Sequence, residues 1–448
     1  MFGRTRRLLV ALGVLAPMLV LGGPDLGAAA QTAEAAPTAE AAPTAEAGIA
    51  RVYAIAVGDT VACATLSQQA YCWGDEYEVL GQVGDGPGQA PFGVPRQVVD
   101  VDGSGPLPRV IDVAAGYRFA CAIAFVSRTV VCWGSNDVGQ LGNGGSSPSQ
   151  IPVRVTRSAT RSLTGAVQID AFGSTACAVV REDPGLGPLV SRVYCWGAGS
   201  EGQLGSDTIG DRARASDPVR WEDPSGRPGD PTTALNGLTQ VSVGTSHACA
   251  RQTTGHVWCW GKEGPTDFTA LYAFRVFNSG TPFCCATSID AGGESTCAVT
   301  GTNDDRRLYC WGGNNVGQLG DGTFDETFQP GEVQTPSGDA DLTGVGTVAV
   351  GESGACASLK ANGRTLCWGF GILSDSPRAW PLAVRNPSDT GELRNVKELA
   401  IGRTACGLLI NRQLRCWGSG QGGTLGNGSP TTTAIPVVVR QPGAGNND

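Results

Sequence analysis

Short apolar runs at the spacing of β-strands follow one another along most of the chain. In residues 110–155, Val110-Ile111-Asp112-Val113-Ala114 alternates and Gly116 ends it; Phe119–Phe125, Thr129–Trp133 and Ile151–Val155 then supply three more runs. A period of two over four to eight residues, bounded by turn residues, predicts strands, so this stretch reads as four short strands. Between the third and fourth lies Gly139-Gln140-Leu141-Gly142-Asn143-Gly144, whose glycines and asparagine suit the positive φ angles of tight turns. No long amphipathic helical pattern occurs in the body of the chain. The unit repeats: Cys-Trp-Gly begins at Cys72, Cys132, Cys195, Cys259, Cys310, Cys367 and Cys416, about every 57 residues, a period typical of propellers and arrays. Each unit carries a second, upstream cysteine, at Cys63, Cys121, Cys177, Cys249, Cys297, Cys356 and Cys406.

The paired cysteines fall on the second and third strands, joined by a hairpin, and facing residues in such a pair lie within the Cα separation a disulfide accepts. One intrablade disulfide per unit is expected. Each closes a short loop and contributes at most about 3 kcal/mol, less where the hairpin already holds its ends. A zinc or redox site fits poorly, because no CxxC spacing exists and the chain has only His247 and His256. The tryptophan after each cysteine points to the opposite sheet face, toward a neighbouring unit. Four-stranded units that cannot bury their own faces close into a ring. The expected fold is all-β, a seven-bladed β-propeller of four-stranded antiparallel blades over residues 49–440. Whether the ring closes between blades or inside one is left open.

Composition narrows the function. The chain has 448 residues with 66 glycines and 27 prolines, and its 41 acidic against 32 basic residues give a net charge of −9. Only Lys262, Lys360 and Lys397 are lysines, so a nucleic-acid-binding patch is not expected. Arg4, Arg6 and Arg7 precede an apolar run from Leu8 to Leu21 and the small residues Ala28-Ala29-Ala30, which reads as a secretory signal peptide over residues 1–30. The Arg6-Arg7 pair leaves general and twin-arginine export both open. Residues 31–48, with Thr-Ala-Glu-Ala-Ala-Pro copied in tandem, form a low-complexity spacer, and residues 441–448 a disordered tail. The apolar run is too short to span a bilayer comfortably and no later stretch reaches the roughly 20 residues required, so a protein without a membrane span, extracellular or periplasmic after cleavage, is expected.

The sequence resembles the regulator of chromosome condensation repeat family. The match is carried by Gly317-Gln318-Leu319-Gly320-Asp321-Gly322 after Trp311-Gly312-Gly313-Asn314, and by Gly139 to Gly144 after Trp133-Gly134-Ser135-Asn136, and it covers about residues 51–440. The motif is kept unevenly: Val83 replaces its leucine in the first unit, and the units after Gly261 and Gly369 lose it. The resemblance implies a propeller that serves as a binding platform. The family's founding type promotes nucleotide exchange on a nuclear GTPase and docks on nucleosomes, roles that suit a secreted acidic chain badly. Secreted propellers of similar repeat include a β-lactamase inhibitor.

No nucleophile elbow, phosphate-binding loop or metal constellation is present, so no catalytic, cofactor or metal site is expected. His247 occupies the family's repeated histidine position, where it serves the blade turn. Candidate partner-binding residues are the aromatics beyond the repeat's needs, Phe268, Tyr272, Phe274, Phe277 and Phe283, with Trp221 and Trp380, for which packing and exposure are both open. Long segments at residues 181–192, 206–236 and 262–281 mark where a partner would touch. Cys284-Cys285 lies outside the repeat; an adjacent disulfide, pairing with another molecule and free thiols are all open. The expected function is that of a secreted, monomeric, non-enzymatic platform for an extracellular or cell-surface protein. An inhibitor of an extracellular enzyme and a glycan-binding or glycan-acting protein are the alternatives.

Overall fold

The computed structural model describes residues 52–440 apart from 76–80, 88–92, 184, 186–187, 222–233, 263–268 and 362. The signal-peptide, spacer and tail assignments, and Phe268, lie outside the described residues. Residues 49–448 form one unit. Within it seven consecutive antiparallel sheets make a propeller, each with its strands in chain order. Blade 1 begins at Val52–Val57, blade 2 at Val110–Ala115, blade 3 at Ala166–Phe172, blade 4 at Leu238–Val243, blade 5 at Ala286–Gly292, blade 6 at Val345–Val350 and blade 7 at Val396–Ile401. These first strands pack against one another around the central axis. Six blades have four strands. In blade 3 the fourth position is held by isolated bridges, Gly197 to Arg212 and Tyr194 to Pro218. The intervening Arg214 turns instead to blade 2, where its guanidinium donates to the Thr156 hydroxyl at 2.7 Å. The fourth strand of blade 7, Thr433–Val438, comes from that blade's own segment. The ring therefore closes between blades 7 and 1, without an exchanged strand.

All seven cysteine pairs are disulfides between directly opposed residues of the second and third strands, with Cα atoms 4.0–4.1 Å apart. The tryptophan beside each bridge points the other way and lies on the bridge of the preceding blade. Trp133 packs on Cys63–Cys72, Trp196 on Cys121–Cys132, Trp260 on Cys177–Cys195 and Trp311 on Cys249–Cys259. Trp368 on Cys297–Cys310, Trp417 on Cys356–Cys367 and Trp73 on Cys406–Cys416 complete the circle. One blade's bridge is thus the floor on which the next blade's largest side chain rests.

The loop after each Cys-Trp-Gly strand completes this interface. In blade 5, Asn314 accepts from the Leu319 amide at 3.0 Å and donates to the carbonyls of Thr323 and Asp325, at 3.1 and 3.0 Å. The Gln318 side chain caps the Val316 amide at 2.9 Å. The loop so held presents the Gln318 carbonyl to the Trp368 indole N–H of blade 6 at 2.8 Å. Gln82, Gln140 and Gln203 do the same for Trp133, Trp196 and Trp260, and Thr424 for Trp73. Gly320 follows the loop's leucine because its φ is +69° and a Cβ there would lie 2.8 Å from the Trp368 indole nitrogen. Blades 4 and 6 lack the motif. The buried Trp311 and Trp417 indole N–H groups that face them have no partner among the described residues.

Candidate functional site

Three features of the ring can meet a ligand or partner. The first is the axis, where the inner strands place two tiers of side chains around a channel of about 200 Å³. Residues paired with the bridging cysteines form one tier, including Asp170, Ser242 and Asp290. Two positions earlier, Asp112, Gln168, Gln240 and Glu398 form the other. The polar members reach across to the next blade: Asp112 accepts from Ile169 N at 3.0 Å, Gln168 from Val241 N at 2.9 Å, Gln240 from Ile289 N at 3.1 Å and Glu398 from Ile55 N at 3.2 Å. Asp170 accepts from Val243 N and the Ser242 hydroxyl at 2.8 and 2.9 Å, and Asp290 from Val350 N at 2.6 Å. Burial without a basic residue in the channel wall pushes Asp112 up to about 7 and Asp170 up to about 6, and raises Asp290 and Glu398 as well. These carboxylates serve as acceptors that tie blades together. Among the described residues no group of three or more histidines, cysteines or acids is placed to hold a metal.

The second feature is the channel mouth, built from hairpins between first and second strands. Gly58, Gly116, Gly173 and Gly402 line a cavity of about 260 Å³ there. Gly402 approaches the Gly58 carbonyl so closely that a Cβ would lie 2.1 Å from its oxygen. Arg403 pairs with Asp59 across the seam and with Glu352 at 3.1 Å. Burial raises Asp59 above its ordinary value against the pull of Arg403.

The third is the outer rim of blades 5 and 6, where large apolar side chains face solvent. Phe324 and Phe328 project from blade 5, Trp380 and Leu382 from blade 6, and Phe277 from the hairpin that lies beside the outer strand of blade 5; Phe370, also exposed, follows the third strand of blade 6, where its amide donates to the Ser353 carbonyl of the mouth hairpin at 2.7 Å. Trp380 is 42% exposed yet fixed, its ring lying over Gly322 and Gly338, where added Cβ atoms would fall 2.1 and 2.6 Å from it. In blade 2 the corresponding residue before the strand proline is Ile151, which covers Gly103.

Comparison with known proteins agrees with the ring. Profiles of the regulator of chromosome condensation (RCC1) repeat match residues 129–179, 191–251 and 305–358, and a second profile of the same repeat matches 110–140 and 286–318. The chain belongs to the RCC1-repeat family. Among curated members of wider function, it is 24% identical over 406 residues to the ultraviolet-B receptor UVR8 of Arabidopsis thaliana, covering 87% of this chain and 82% of that one. It is 25% identical over 351 residues to the human E3 ubiquitin-protein ligase HERC2, covering 74% of this chain but only 6% of that protein. Human WBSCR16 shares the fold with a TM-score of 0.63 at 20% identity, covering 84% of this chain and 94% of that one. Prp20p from Saccharomyces cerevisiae shares it with a TM-score of 0.59 at 19% identity, covering 89% and 88%.

Against this RCC1-repeat frame the aromatics singled out in the sequence separate. Phe283 is buried, edge-on to Tyr309 and Trp311 at centroid distances of 5.5 and 5.8 Å, because the connector between blades 4 and 5 needs an anchor. Trp221 is half-buried against Trp258 at 6.0 Å, and Tyr272 and Phe274 are half-buried in the outer strand of blade 4. Phe277 and Trp380 alone of the described candidates present a large exposed surface. His247 is fully buried, its Nε2 2.8 Å from the Thr296 hydroxyl of blade 5, and burial lowers it to about 4. It is a neutral clip between blades. In the structure Cys284 and Cys285 are both free, exposed thiols, and Cys285 takes a left-handed φ of 68°.

Sequence reasoning passed over the channel acids, the rim residues Phe324, Phe328 and Leu382, and the exposed Phe370. The acids had a readable signal, since Ile-Asp recurs in first strands at Ile111-Asp112, Ile169-Asp170 and Ile289-Asp290.

Proposed function

We propose that this RCC1-repeat propeller is an extracellular, non-enzymatic platform that docks a protein partner on the outer rim of blades 5 and 6. The observation that carries this reading is Trp380, an aromatic held rigid over two glycines while much of its ring faces solvent. Pre-ordered aromatic side chains lose little entropy on binding and dominate interface energetics. Phe324, Phe328 and Phe277 extend the apolar surface across blade 5. The seven bridges suit an oxidising compartment. The absence of a nucleophile, base and oxyanion constellation from the sequence supports a binding role over turnover.

The test places a photo-crosslinking amino acid beside Trp380 and, as a control, on the outer strand of blade 2, and exposes each protein to its native extracellular fraction. One protein crosslinked from the blade 6 position, and lost in Trp380→Ala and Phe328→Ser variants that melt like the parent, supports the rim. A crosslinked protein unaffected by both substitutions, or no crosslink from blade 6, refutes it.

A further inference from the structure

Cys284 and Cys285 are absorbed neither by the repeat nor by the rim. The seven bridged pairs are at most 3% exposed, whereas both of these sulfurs are at the surface. They sit on a fixed mount. The Phe283 ring is buried under them, its amide donates to the Val276 carbonyl at 2.8 Å, and the Ala286 amide donates to the Gly255 carbonyl at 3.0 Å. Gly255 lets that turn come close, since a Cβ there would lie 2.8 Å from the Cys285 Cα. Above the pair opens a groove of about 420 Å³ bordered by Asn278, Thr281, Pro282, Thr300 and Tyr309. The two thiols interact: a hydrogen bond to Cys285, then burial and the charge of Cys285, raise Cys284 above its ordinary value. A thiol made harder to ionise suits the resolving step, so the attack is assigned to Cys285, on the turn that Gly255 approaches.

We propose that Cys284-Cys285 is a thiol–disulfide exchange site that reduces a low-molecular-weight disulfide bound in this groove. The Cys285 thiolate attacks one sulfur of the disulfide; that S–S bond breaks, a mixed disulfide forms on Cys285 and the first thiolate leaves. Cys284 gives up its proton to the departing thiolate and attacks the Cys285 sulfur. The Cys284–Cys285 bond forms and the second thiolate leaves, protonated from solvent. Two protein thiols are oxidised and one external disulfide is reduced to two thiols. The site does not depend on any partner at the rim.

The test starts from protein given a limiting pulse of a trialkylphosphine, which reaches exposed sulfur and not the buried bridges, and then desalted. 2,2′-Dipyridyl disulfide is the probe, read by released pyridinethione and by intact mass. The parent is expected to release two pyridinethiones per chain and keep no adduct. Cys284→Ser is expected to release one and keep an adduct on Cys285, and the double serine variant to release none. A parent chain that keeps two adducts, showing independent thiols, or that releases nothing, overturns the proposal. An unchanged melting temperature in each variant shows that the fold is intact.

Discussion

Trp368 and Trp417 allow the inter-blade hydrogen bond to be separated from the packing around it. Both indoles are almost fully buried on the disulfide of the preceding blade, and both lose the same atoms in a Trp→Phe substitution. They differ in one respect: the Trp368 N–H donates to the Gln318 carbonyl at 2.8 Å, while Ile372 packs in the cluster beneath Trp417 and no described carbonyl reaches its N–H. Trp368→Phe removes a buried hydrogen bond and strands its acceptor, a loss of about 1–3 kcal/mol beyond the missing ring volume. Trp417→Phe removes a donor that has no partner among the described residues, so the relief of its desolvation cost, of similar size, offsets part of the lost packing. The expected result is that Trp368→Phe destabilises the chain by about 2–6 kcal/mol more than Trp417→Phe. Urea melts followed by circular dichroism with the disulfides intact measure the difference. Equal losses, or a larger loss at Trp417, would refute the role given to the Gln318 carbonyl.

Two further outcomes follow from the same geometry. Asp112 and Asp170 hold their protons in the folded ring to about pH 7 and 6 but release them near 3.8 when unfolded, so the folded state binds more protons between these values. Their contribution is fully present below about pH 4 and is lost as pH rises toward 7; melting temperature should therefore climb on acidification from pH 7 to 5, and Asp112→Asn should flatten that slope in calorimetry. Gly320→Ala forces a Cβ 2.8 Å from the Trp368 indole at a φ of +69°, whereas Gly86→Ala at φ +91° meets nothing within 4 Å among the described residues. Both incur left-handed strain of about 1–2 kcal/mol, but only the former adds a steric cost, so its melting temperature should fall further.

The sequence made the ring legible because its main determinants are local and repeated. Each cysteine pair lies across one hairpin, and the alternation that turns Cys132 toward its partner turns Trp133 away. The second half of each interface is not local. The Gln82 carbonyl and the Trp133 indole are 51 residues apart, and nothing in the pattern Gly-Gln-Val-Gly says that its backbone oxygen, rather than its side chain, is the functional group. The channel acids recur visibly as Ile-Asp pairs, but their role is not local either. An aspartate in an alternating strand reads as a solvent-facing residue, and only ring closure puts Asp112 within 3.0 Å of the Ile169 amide. The side chain is then an acceptor for the next blade, and its raised proton affinity follows from that burial.

The same division explains where the candidate surfaces lie. A motif that locks each blade to the next must keep its loop geometry, and where it fails, after Gly261 and Gly369, the following tryptophan has no acceptor among the described residues while the blade itself persists on its disulfide and apolar packing. The bridge is retained in both blades whose loop has lost the motif, and that loss frees loop positions for other side chains. Blade 6 illustrates this directly, for Phe370 stands exposed within its altered loop and Trp380 on its outer strand. Restoring the motif in blade 6 gives Trp417 an acceptor yet removes the exposed Phe370, so stability should rise while any binding that depends on Phe370 falls. Parallel changes in both would show instead that the altered loop serves the fold alone.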